Sequence, residues 1–194
     1  MPRCCLSLGD TNSGKTHLFF SLFSSELEAS GRPGLIVDSF GAGNFDGIRD
    51  RYAAETIVDV ERRLWDRGEH AIWSPRDCDE LELMSEKVWK ASKADPKSPI
   101  VLFIDETSPW LSPKYEPPNL TRLIRGHRHS DVTIFMTTQY CGDLPPVYWQ
   151  CAHHIYLFRN TTPRALERIK LMLPSVDTEK IRTLPLREYV YVET

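Results

Sequence analysis

Hydrophobic residues along the chain fall alternately into short continuous runs and longer segments with helical spacing. Six short apolar runs without regular polar alternation predict buried strands, and a seventh run predicts a closing strand. These runs occupy residues 4–8, 35–37, 71–73, 100–104, 132–137, 155–158 and 189–192. Strands that alternate with helices are typical of a mainly parallel sheet covered by helices on both faces. The pattern therefore predicts an α/β fold.

Four segments between these runs carry apolar residues at helical spacing, at residues 16–27, 77–94, 120–127 and 163–173. Asp77 and Glu80 have the spacing of a capping box at the start of the second helix. The pair Asp95-Pro96 is expected to end that helix, because the residue before a proline avoids helical geometry. Thr162 followed by proline is a typical start for the fourth helix.

Length and composition indicate one soluble globular domain that spans residues 1–194. Hydrophobic residues make up 41% of the chain and charged residues 26%, close to the averages for such proteins. The longest apolar run is far shorter than the roughly 20 residues that a transmembrane helix needs. The start of the chain lacks the basic and small-residue pattern of a secretory signal. We therefore expect no transmembrane segment and a cytoplasmic location.

Cysteine and histidine positions do not predict a metal centre or disulfides. The five cysteines lack a C-x-x-C pair and are scattered, which favours reduced thiols. Histidines cluster at residues 127–129 and 153–154, but without the spacing of a structural zinc site. The net charge of −3 does not indicate a nucleic-acid-binding protein by itself. A local basic stripe can nevertheless exist on an acidic protein.

A phosphate-binding loop follows the first predicted strand. The segment matches G-x-x-x-x-G-K-[ST] completely and precedes a predicted helix, which is the context that this motif requires. The backbone N–H groups of the loop and the start of the helix favour the binding of phosphate. Lys15 is expected to reach the outer phosphates, and the Thr16 hydroxyl is expected to bind Mg²⁺. We expect the loop to bind a nucleoside triphosphate such as ATP, through Gly9, Asp10, Thr11, Asn12, Ser13, Gly14, Lys15 and Thr16.

Two acidic residues follow the apolar run at residues 100–104. Asp105 is expected to hold Mg²⁺, directly or through water, as the corresponding acid does in P-loop NTPases. Glu106 is placed to orient and deprotonate the attacking water, which is the role of a general base. The alternative is that the two carboxylates cap a helix at the start of the following loop.

The run at residues 132–137 also ends in polar residues, Thr138 and Gln139. In additional-strand P-loop ATPases, a polar residue at this strand end senses the γ-phosphate and positions water. Gln139 is the first candidate for this role and Thr138 the second. An amide that merely caps a loop is the alternative interpretation.

Basic residues cluster on the predicted helix at residues 120–127 and just beyond it. Arg122, Arg125 and His129 share one helix face, and Arg128 lies at the helix end. Arg125 or Arg128 can act as an arginine finger toward the nucleotide of a neighbouring subunit. Contact with DNA phosphates and a solvated face are the alternatives.

The proline-rich loop at residues 109–118 mixes aromatic and basic side chains. Trp110, Lys114 and Tyr115 suit contact with a nucleic acid. A lid that packs on the fold is the alternative.

These motifs together resemble the FtsK/HerA superfamily of DNA-pumping P-loop ATPases. The resemblance covers nearly the whole chain and is most specific in the segment from Arg125 to Gln139, which is similar to that superfamily's arginine-then-sensor segment. It implies a RecA-like additional-strand core. The loop at residues 110–118 and His127 depart from the family pattern.

The bare core is similar to genome-packaging ATPases of membrane-containing icosahedral viruses and their poxvirus-like relatives. That resemblance implies a homo-oligomeric ring, with a hexamer as the expected size, which hydrolyses ATP with Mg²⁺ and drives double-stranded DNA into a procapsid. Capsid vertex or portal proteins would be its partners, in the host cytoplasm or the virion.

Three other functions compete with this interpretation. A nucleotide or metabolite kinase shares the P-loop and length, although Glu106 and Gln139 fit water activation better than transfer to a substrate. A GTPase is disfavoured because the sequence lacks the Asn-Lys-x-Asp motif. A Zot-type phage assembly ATPase is disfavoured by the missing transmembrane segment.

Overall fold

The computed structural model describes residues 2–41, 44–94, 99–112 and 114–194. These residues form a single eight-stranded sheet in the order β3-β4-β2-β5-β6-β1-β7-β8. All neighbouring strands are parallel except β7 and β8, which are antiparallel. The strands are β1 Cys4–Leu8, β2 Gly34–Asp38, β3 Ala53–Ala54, β4 Ala71–Trp73, β5 Val101–Asp105, β6 Thr133–Thr138, β7 His154–Phe158 and β8 Tyr189–Glu193.

Eight helices connect these strands within the described residues. They are α1 Lys15–Ser30, α2 Asp46–Tyr52, α3 Ile57–Glu61, α4 Cys78–Ala94, α5 Pro118–Ser130, α6 Pro146–Cys151, α7 Pro163–Met172 and α8 Thr178–Thr183. A π-helical turn, Arg62–Asp66, continues α3, and a 3₁₀ turn, Cys141–Asp143, precedes α6. Helices α2, α3, α6 and α8 and the short strand β3 were not predicted. Each has seven residues or fewer, which is too short for helical spacing to become visible in the sequence.

The predicted start of α4 is confirmed with one change. Asp77 Oδ1 accepts a hydrogen bond from the Glu80 backbone N–H at 2.9 Å, as expected for a capping residue. The Glu80 carboxylate, however, accepts from the backbone N–H of Arg76 at 2.8 Å instead of closing the box on Asp77. The predicted stop at residues 95–96 lies outside the described residues. Helix α5 extends beyond the predicted segment at both ends.

The sheet separates two hydrophobic layers. One layer is aromatic and lies between the sheet and α1, where Phe23 packs against Phe103 and Phe135 at ring-centroid distances of 5.7 and 6.3 Å. The larger layer, on the other face, includes the buried stripes of α4 and α5. Both faces of the central strands are therefore covered, which explains why their sequences are apolar without alternation.

Strand β6 lies between β1 and β5, so it is the additional strand that separates the phosphate loop from the Asp105 strand. The carboxyl ends of these three parallel strands meet at one edge of the sheet, called the carboxyl edge below. Their starts define the opposite, amino edge. Within the described residues, no helix combines the length and apolar character that a membrane span requires.

Candidate nucleotide-binding site

The phosphate loop connects β1 to α1 at the carboxyl edge. Gly14 precedes the helix with φ of 103°, a left-handed conformation that glycine adopts without steric cost, and no side chain in the described part of the chain caps the helix start. Gly9 is equally constrained, because a Cβ there would lie 2.6 Å from Phe158 Cβ. The first N–H groups of α1 therefore face the loop and can bind an anion.

Backbone contacts hold the loop against two neighbouring strands. The Gly9 N–H donates to Thr138 O at 3.3 Å, and the Asp10 N–H donates to Arg159 O at 2.8 Å. The Asp10 carboxylate accepts from the Thr161 hydroxyl at 2.9 Å. Asp10 therefore fixes the loop to the end of β7.

Lys15 is buried, with 5% of its surface exposed. Its ammonium donates to Asp10 O at 2.8 Å and lies 3.5 Å from Ser13 Oγ. Burial lowers the pKa of Lys15, while the nearby Glu106 and Asp105 carboxylates act in the opposite direction. A desolvated ammonium beside neutral acceptors gains a stronger partner when a phosphate enters.

Asp105 ends β5 and is surrounded by donors. Its Oδ1 accepts from the Thr16 hydroxyl at 2.8 Å and from the Thr137 hydroxyl at 2.9 Å, and its Oδ2 accepts from Asn44 Nδ2 at 3.0 Å. Burial raises the pKa of Asp105, these hydrogen bonds oppose the rise, and the neighbouring Asp38 adds to it. The predicted pair of Thr16 and Asp105 is thus in direct contact.

Glu106 has a left-handed backbone with φ of 65°, which turns its side chain along the carboxyl edge. Its Oε1 accepts from the Ser108 N–H at 3.1 Å and from the Thr138 hydroxyl at 3.2 Å. The Gln139 N–H lies 3.0 Å from Oε2 and 3.2 Å from Oε1. Because most of these bonds converge on Oε1, Oε2 keeps lone-pair capacity for a further donor.

Gln139 connects the end of β6 to the phosphate loop. Its side-chain oxygen accepts from the Thr11 hydroxyl at 2.8 Å, while its backbone N–H holds Glu106. Thr138, the second sensor candidate, directs its hydroxyl to Glu106. Thr137, which sequence reasoning missed, accepts from the Glu106 N–H at 2.8 Å and donates to Asp105. The end of β6 therefore links the two acidic residues.

One cleft of about 920 Å³ is bordered by residues 11–16 of the phosphate loop and by Asp105, Glu106 and Gln139, and further residues complete its wall. Sequence reasoning missed Asn44, Arg187 and Tyr189, since each is far in sequence from the motifs. Arg187, Asn12 and Glu106 are non-glycine residues with a positive φ, and all three line the cleft. Such strained positions concentrate at functional sites. No motif in the sequence signals these three missed residues.

The donor set fits both predicted ligands. Thr16 and Asp105 offer adjacent hydroxyl and carboxylate oxygens, the hard ligands that Mg²⁺ prefers alongside phosphate and water. The helix start and the Lys15 ammonium offer positive charge to phosphates. Within the described residues, no group of three or more histidine, cysteine or acidic side chains is arranged to hold a metal ion by itself.

The candidate arginines do not border this cleft. Arg128 lies at the amino edge, where its Nε is 2.7 Å from His153 Nε2, and the backbone nitrogen of Cys4 at the start of β1 is 3.1 Å from His153 Nδ1. Arg125 is exposed and borders a separate open groove beside Trp89. The structure therefore does not bring either arginine to the phosphate loop of its own chain.

Two features left open by the sequence have structural assignments. Trp110 packs against the core and donates from Nε1 to Ser39 Oγ at 2.8 Å, as expected for a loop that packs on the fold. Lys114 and Tyr115 are exposed. His127 is a buried residue whose Nδ1 contacts Ile124 O at 2.6 Å, and burial lowers its pKa.

The sheet order and the phosphate loop define a P-loop NTPase fold of the additional-strand type. More particularly, the fold is similar to that of the genome-packaging NTPase B204 from Sulfolobus turreted icosahedral virus 2, solved in complex with AMP. That structure has a TM-score of 0.80 and 22% sequence identity, over 99% of this chain and 92% of the other. The DNA-packaging ATPase B204 from Sulfolobus turreted icosahedral virus gives 0.78 and 21%, over 99% and 93% of the two chains.

A more distant similarity connects the chain to VirB4 of Thermoanaerobacter pseudethanolicus, with a TM-score of 0.65 and 9% identity over 97% of this chain and 86% of the other. The sequence matches no protein-family model and no curated protein. The similarities confirm the predicted α/β fold and, at the level of fold, the predicted resemblance.

Proposed function

We propose that this protein is a Mg²⁺-dependent ATPase that moves double-stranded DNA into a viral procapsid. The observation that carries the proposal is the arrangement of Glu106, whose carboxylate is fixed at the cleft between the phosphate loop and the Asp105 strand. A fixed carboxylate beside a phosphate site suits water activation. The fold similarity to packaging ATPases, over 99% of this chain, supports the DNA-translocating role.

Phosphate binding depends on the loop and Lys15. The N–H groups at the start of α1 contact the phosphate oxygens, and the Lys15 ammonium turns from Asp10 O toward the outer phosphates. Bound Mg²⁺ neutralises charge that develops on the phosphates. Thr16 and Asp105 would hold this ion with their oxygens, and Thr137 and Asn44 would keep the carboxylate oriented.

Water activation depends on Glu106 and Gln139. The Ser108 N–H and the Thr138 hydroxyl bind Glu106 Oε1, and the Gln139 N–H contacts both carboxylate oxygens. The carboxylate is thereby fixed, and Oε2 uses its remaining lone pair to accept the proton of a water directed at the γ-phosphate. The Gln139 amide lies between the Thr11 hydroxyl and this position, and it can respond to the γ-phosphate by exchanging Thr11 for a phosphate or water partner. These roles form the catalytic part of the proposal.

An arginine from a neighbouring subunit would complete the site. A finger that acts between subunits must lie away from the phosphate loop of its own chain, and Arg128 does so at the amino edge. A head-to-tail ring contact can place the amino edge of one subunit against the carboxyl edge of the next. We assign Arg128 as the first candidate and Arg125 as the second, in a homo-oligomeric ring, with a hexamer as the expected size.

The remaining parts of the proposal concern partners and location. Double-stranded DNA is the translocated substrate, capsid vertex or portal proteins are the docking partners, and the host cytoplasm or the virion is the location. The exposed Arg122 and Arg125 supply positive charge for DNA phosphates if they face the channel of the ring.

The central test is the rate of ATP hydrolysis by the purified protein with Mg²⁺, with and without double-stranded DNA. We expect DNA to raise the rate and the Lys15→Ala variant to show no activity. A rate that ignores DNA but requires a small phosphate acceptor would instead establish a kinase. That alternative shares the phosphate loop but has no use for the fixed Glu106.

Subunit mixing tests the arginine assignment. Arg128→Ala and Lys15→Ala subunits are each expected to be inactive alone and to regain part of the activity when mixed, because mixed rings contain some intact interfaces. The exposed Arg182→Ala variant is the matched control and should retain activity. Absence of rescue would exclude Arg128 as a finger between subunits, and the same experiment with Arg125→Ala would then test the second candidate.

A further inference from the structure

The cleft extends to both sides of β1, and the two sides differ in chemistry. On the side of β5 and β6 lie Asp105, Glu106 and Gln139, which the proposed function assigns to the metal and the terminal phosphate. On the side of β7 and β8 lie Phe158 and Tyr189. Because the proposed function places the terminal phosphate toward β5 and β6, we expect the nucleoside end of a bound nucleotide to extend toward β7 and β8.

The segment before β8 packs directly on the phosphate loop. The Arg187 N–H donates to Ser13 O at 3.1 Å, and a Cβ added to Gly14 would lie 3.4 Å from Arg187 Cα. Arg187 adopts this position with φ of 70°, which non-glycine residues rarely do. The backbone contact therefore fixes Arg187 at the rim of the cleft, where its guanidinium is available to a ligand.

Tyr189 presents a supported aromatic ring at the same rim. Its ring centroid lies 5.4 Å from that of Phe158 and 5.4 Å from that of Tyr156, and 42% of its surface is exposed. Pairing of Tyr189 with Phe158 in the antiparallel β7–β8 ladder fixes the backbone behind the ring. A ring that is already ordered loses little conformational entropy when it stacks on a ligand.

We propose that Tyr189 and Arg187 form a stacking site for the base of the bound nucleoside triphosphate. This inference rests on the proposed function for the position of the phosphates, and it adds the residues that bind the other end of the substrate. The tyrosine ring and the planar guanidinium both stack on nucleobases. Because stacking uses the face of the base, this site favours purines for their area and accepts adenine and guanine alike.

Two ligands separate base binding from phosphate binding. Affinities of ATP and of inorganic triphosphate, each with Mg²⁺, are measured by calorimetry for the wild type and for the Tyr189→Ala variant. We expect Tyr189→Ala to lower the affinity for ATP about tenfold, which is the size of effect expected when a base-stacking aromatic residue is lost. The affinity for inorganic triphosphate should stay unchanged. Arg187→Ala is also expected to lower the affinity for ATP and to leave the affinity for inorganic triphosphate unchanged.

Tyr191→Ala is the matched control, because Tyr191 is an exposed tyrosine on the same strand, 46% exposed, and does not border the cleft. It should leave both affinities unchanged. Tyr189→Phe should keep ATP binding, which also tests whether the ring rather than the hydroxyl matters. If Tyr189→Ala fails to fold, Tyr189→Leu replaces it as a variant that preserves volume without an aromatic face.

Three results would overturn the stacking site: unchanged ATP affinity in Tyr189→Ala, an equal loss of ATP and inorganic triphosphate, or an equal loss of ATP affinity in Tyr191→Ala. If the wild type bound GTP more than tenfold more weakly than ATP, the claim that the site accepts adenine and guanine alike would be overturned. Failure of the proposed function has a different signature, because the wild type would then bind neither ligand or Lys15→Ala would bind both normally.

Discussion

The carboxyl edge and the amino edge of the sheet hold their polar groups in different ways. At the carboxyl edge, Asp105 and Glu106 are both buried at 4% exposure, and hydroxyl, amide and backbone donors surround them. At the amino edge, Arg128 is exposed and shares a single histidine with a backbone amide. Strand β6 allows the two edges to be compared within one element, because it begins at the amino edge and ends at the carboxyl edge.

The contrast indicates which groups are fixed and which can move. Buried carboxylates need their full set of donors, because an unpaired buried charge is strongly unfavourable. Such a network is preorganised for chemistry. An exposed arginine with one shared partner can leave that partner at small free-energy cost. This difference suits a fixed hydrolytic site on one edge and an arginine that must reach a neighbouring subunit on the other.

The largest expected effect concerns the fixed carboxylate itself. Glu106→Gln keeps the size of the side chain but removes the base, so the rate of ATP hydrolysis should fall about 10²- to 10⁴-fold. Nucleotide affinity should persist, because Lys15 and the loop amides remain. Steady-state kinetics and nucleotide binding measure the two quantities. Glu116→Gln, at an exposed position, is the control. Unchanged turnover in Glu106→Gln would remove Glu106 from the proposed role.

A smaller effect is expected for the hydroxyls at the two ends of β6. Thr137→Val removes the donor to Asp105 and leaves the buried Glu106 N–H without its acceptor, which should lower the free energy of unfolding by about 2–3 kcal/mol. Thr133 is equally buried, but among the described residues its hydroxyl has no hydrogen-bond partner. Thr133→Val should therefore be neutral or slightly stabilising.

Urea denaturation of the two valine variants measures this difference directly. Both substitutions exchange a hydroxyl for a methyl group of similar size on the same strand, so differences in β propensity and packing largely cancel. Equal destabilisation of the two variants would show that the network at the carboxyl edge contributes no more than an isolated buried hydroxyl. Hydrolysis by Thr137→Val should also fall, since Asp105 and Glu106 lose their common link.

The same contrast explains what the sequence predicted and what it did not. Asp105 and Glu106 were predictable because they directly follow a buried strand, and the phosphate loop because its motif is contiguous. Asn44 and Arg187 reach the cleft through tertiary packing from segments without a recognisable motif. Thr137 was assigned to the last position of a buried strand, and its linking role depends on the register of β6 beside β5, which no local pattern shows.

At the amino edge the basic cluster was predicted, but its partner was not. The sequence placed Arg128 at the end of a helix and His153 in a separate pair of histidines. Their contact arises because α5 returns to the start of β6, beside the start of β1. The sequence left three roles open for Arg128: an arginine finger, a DNA contact and a solvated side chain. A choice among them depends on which edge of the sheet Arg128 occupies, which the sequence does not show.

The smallest expected effect concerns protonation of His153. A neutral imidazole carries one N–H and can accept at only one nitrogen, yet N–H donors from Cys4 and Arg128 approach both. Burial is the main cause that lowers the pKa of His153, followed by the charge of Arg128 and by His127 and His154. The unfolded chain therefore binds a proton more readily than the folded chain as the pH falls below about 6.5.

The free energy of unfolding should thus be insensitive to His153 above about pH 6.5 and decrease below it, levelling off once the folded protein is also protonated. His153→Gln should make the decrease between pH 7 and 5 smaller by about 0.5 kcal/mol, a modest value because the site is partly exposed. Denaturation at several pH values measures it, and comparison with wild type cancels the contribution of the distant His70. Identical pH profiles would show that Arg128 is not held through the neutral imidazole, so that its position at the amino edge would depend on other contacts of α5.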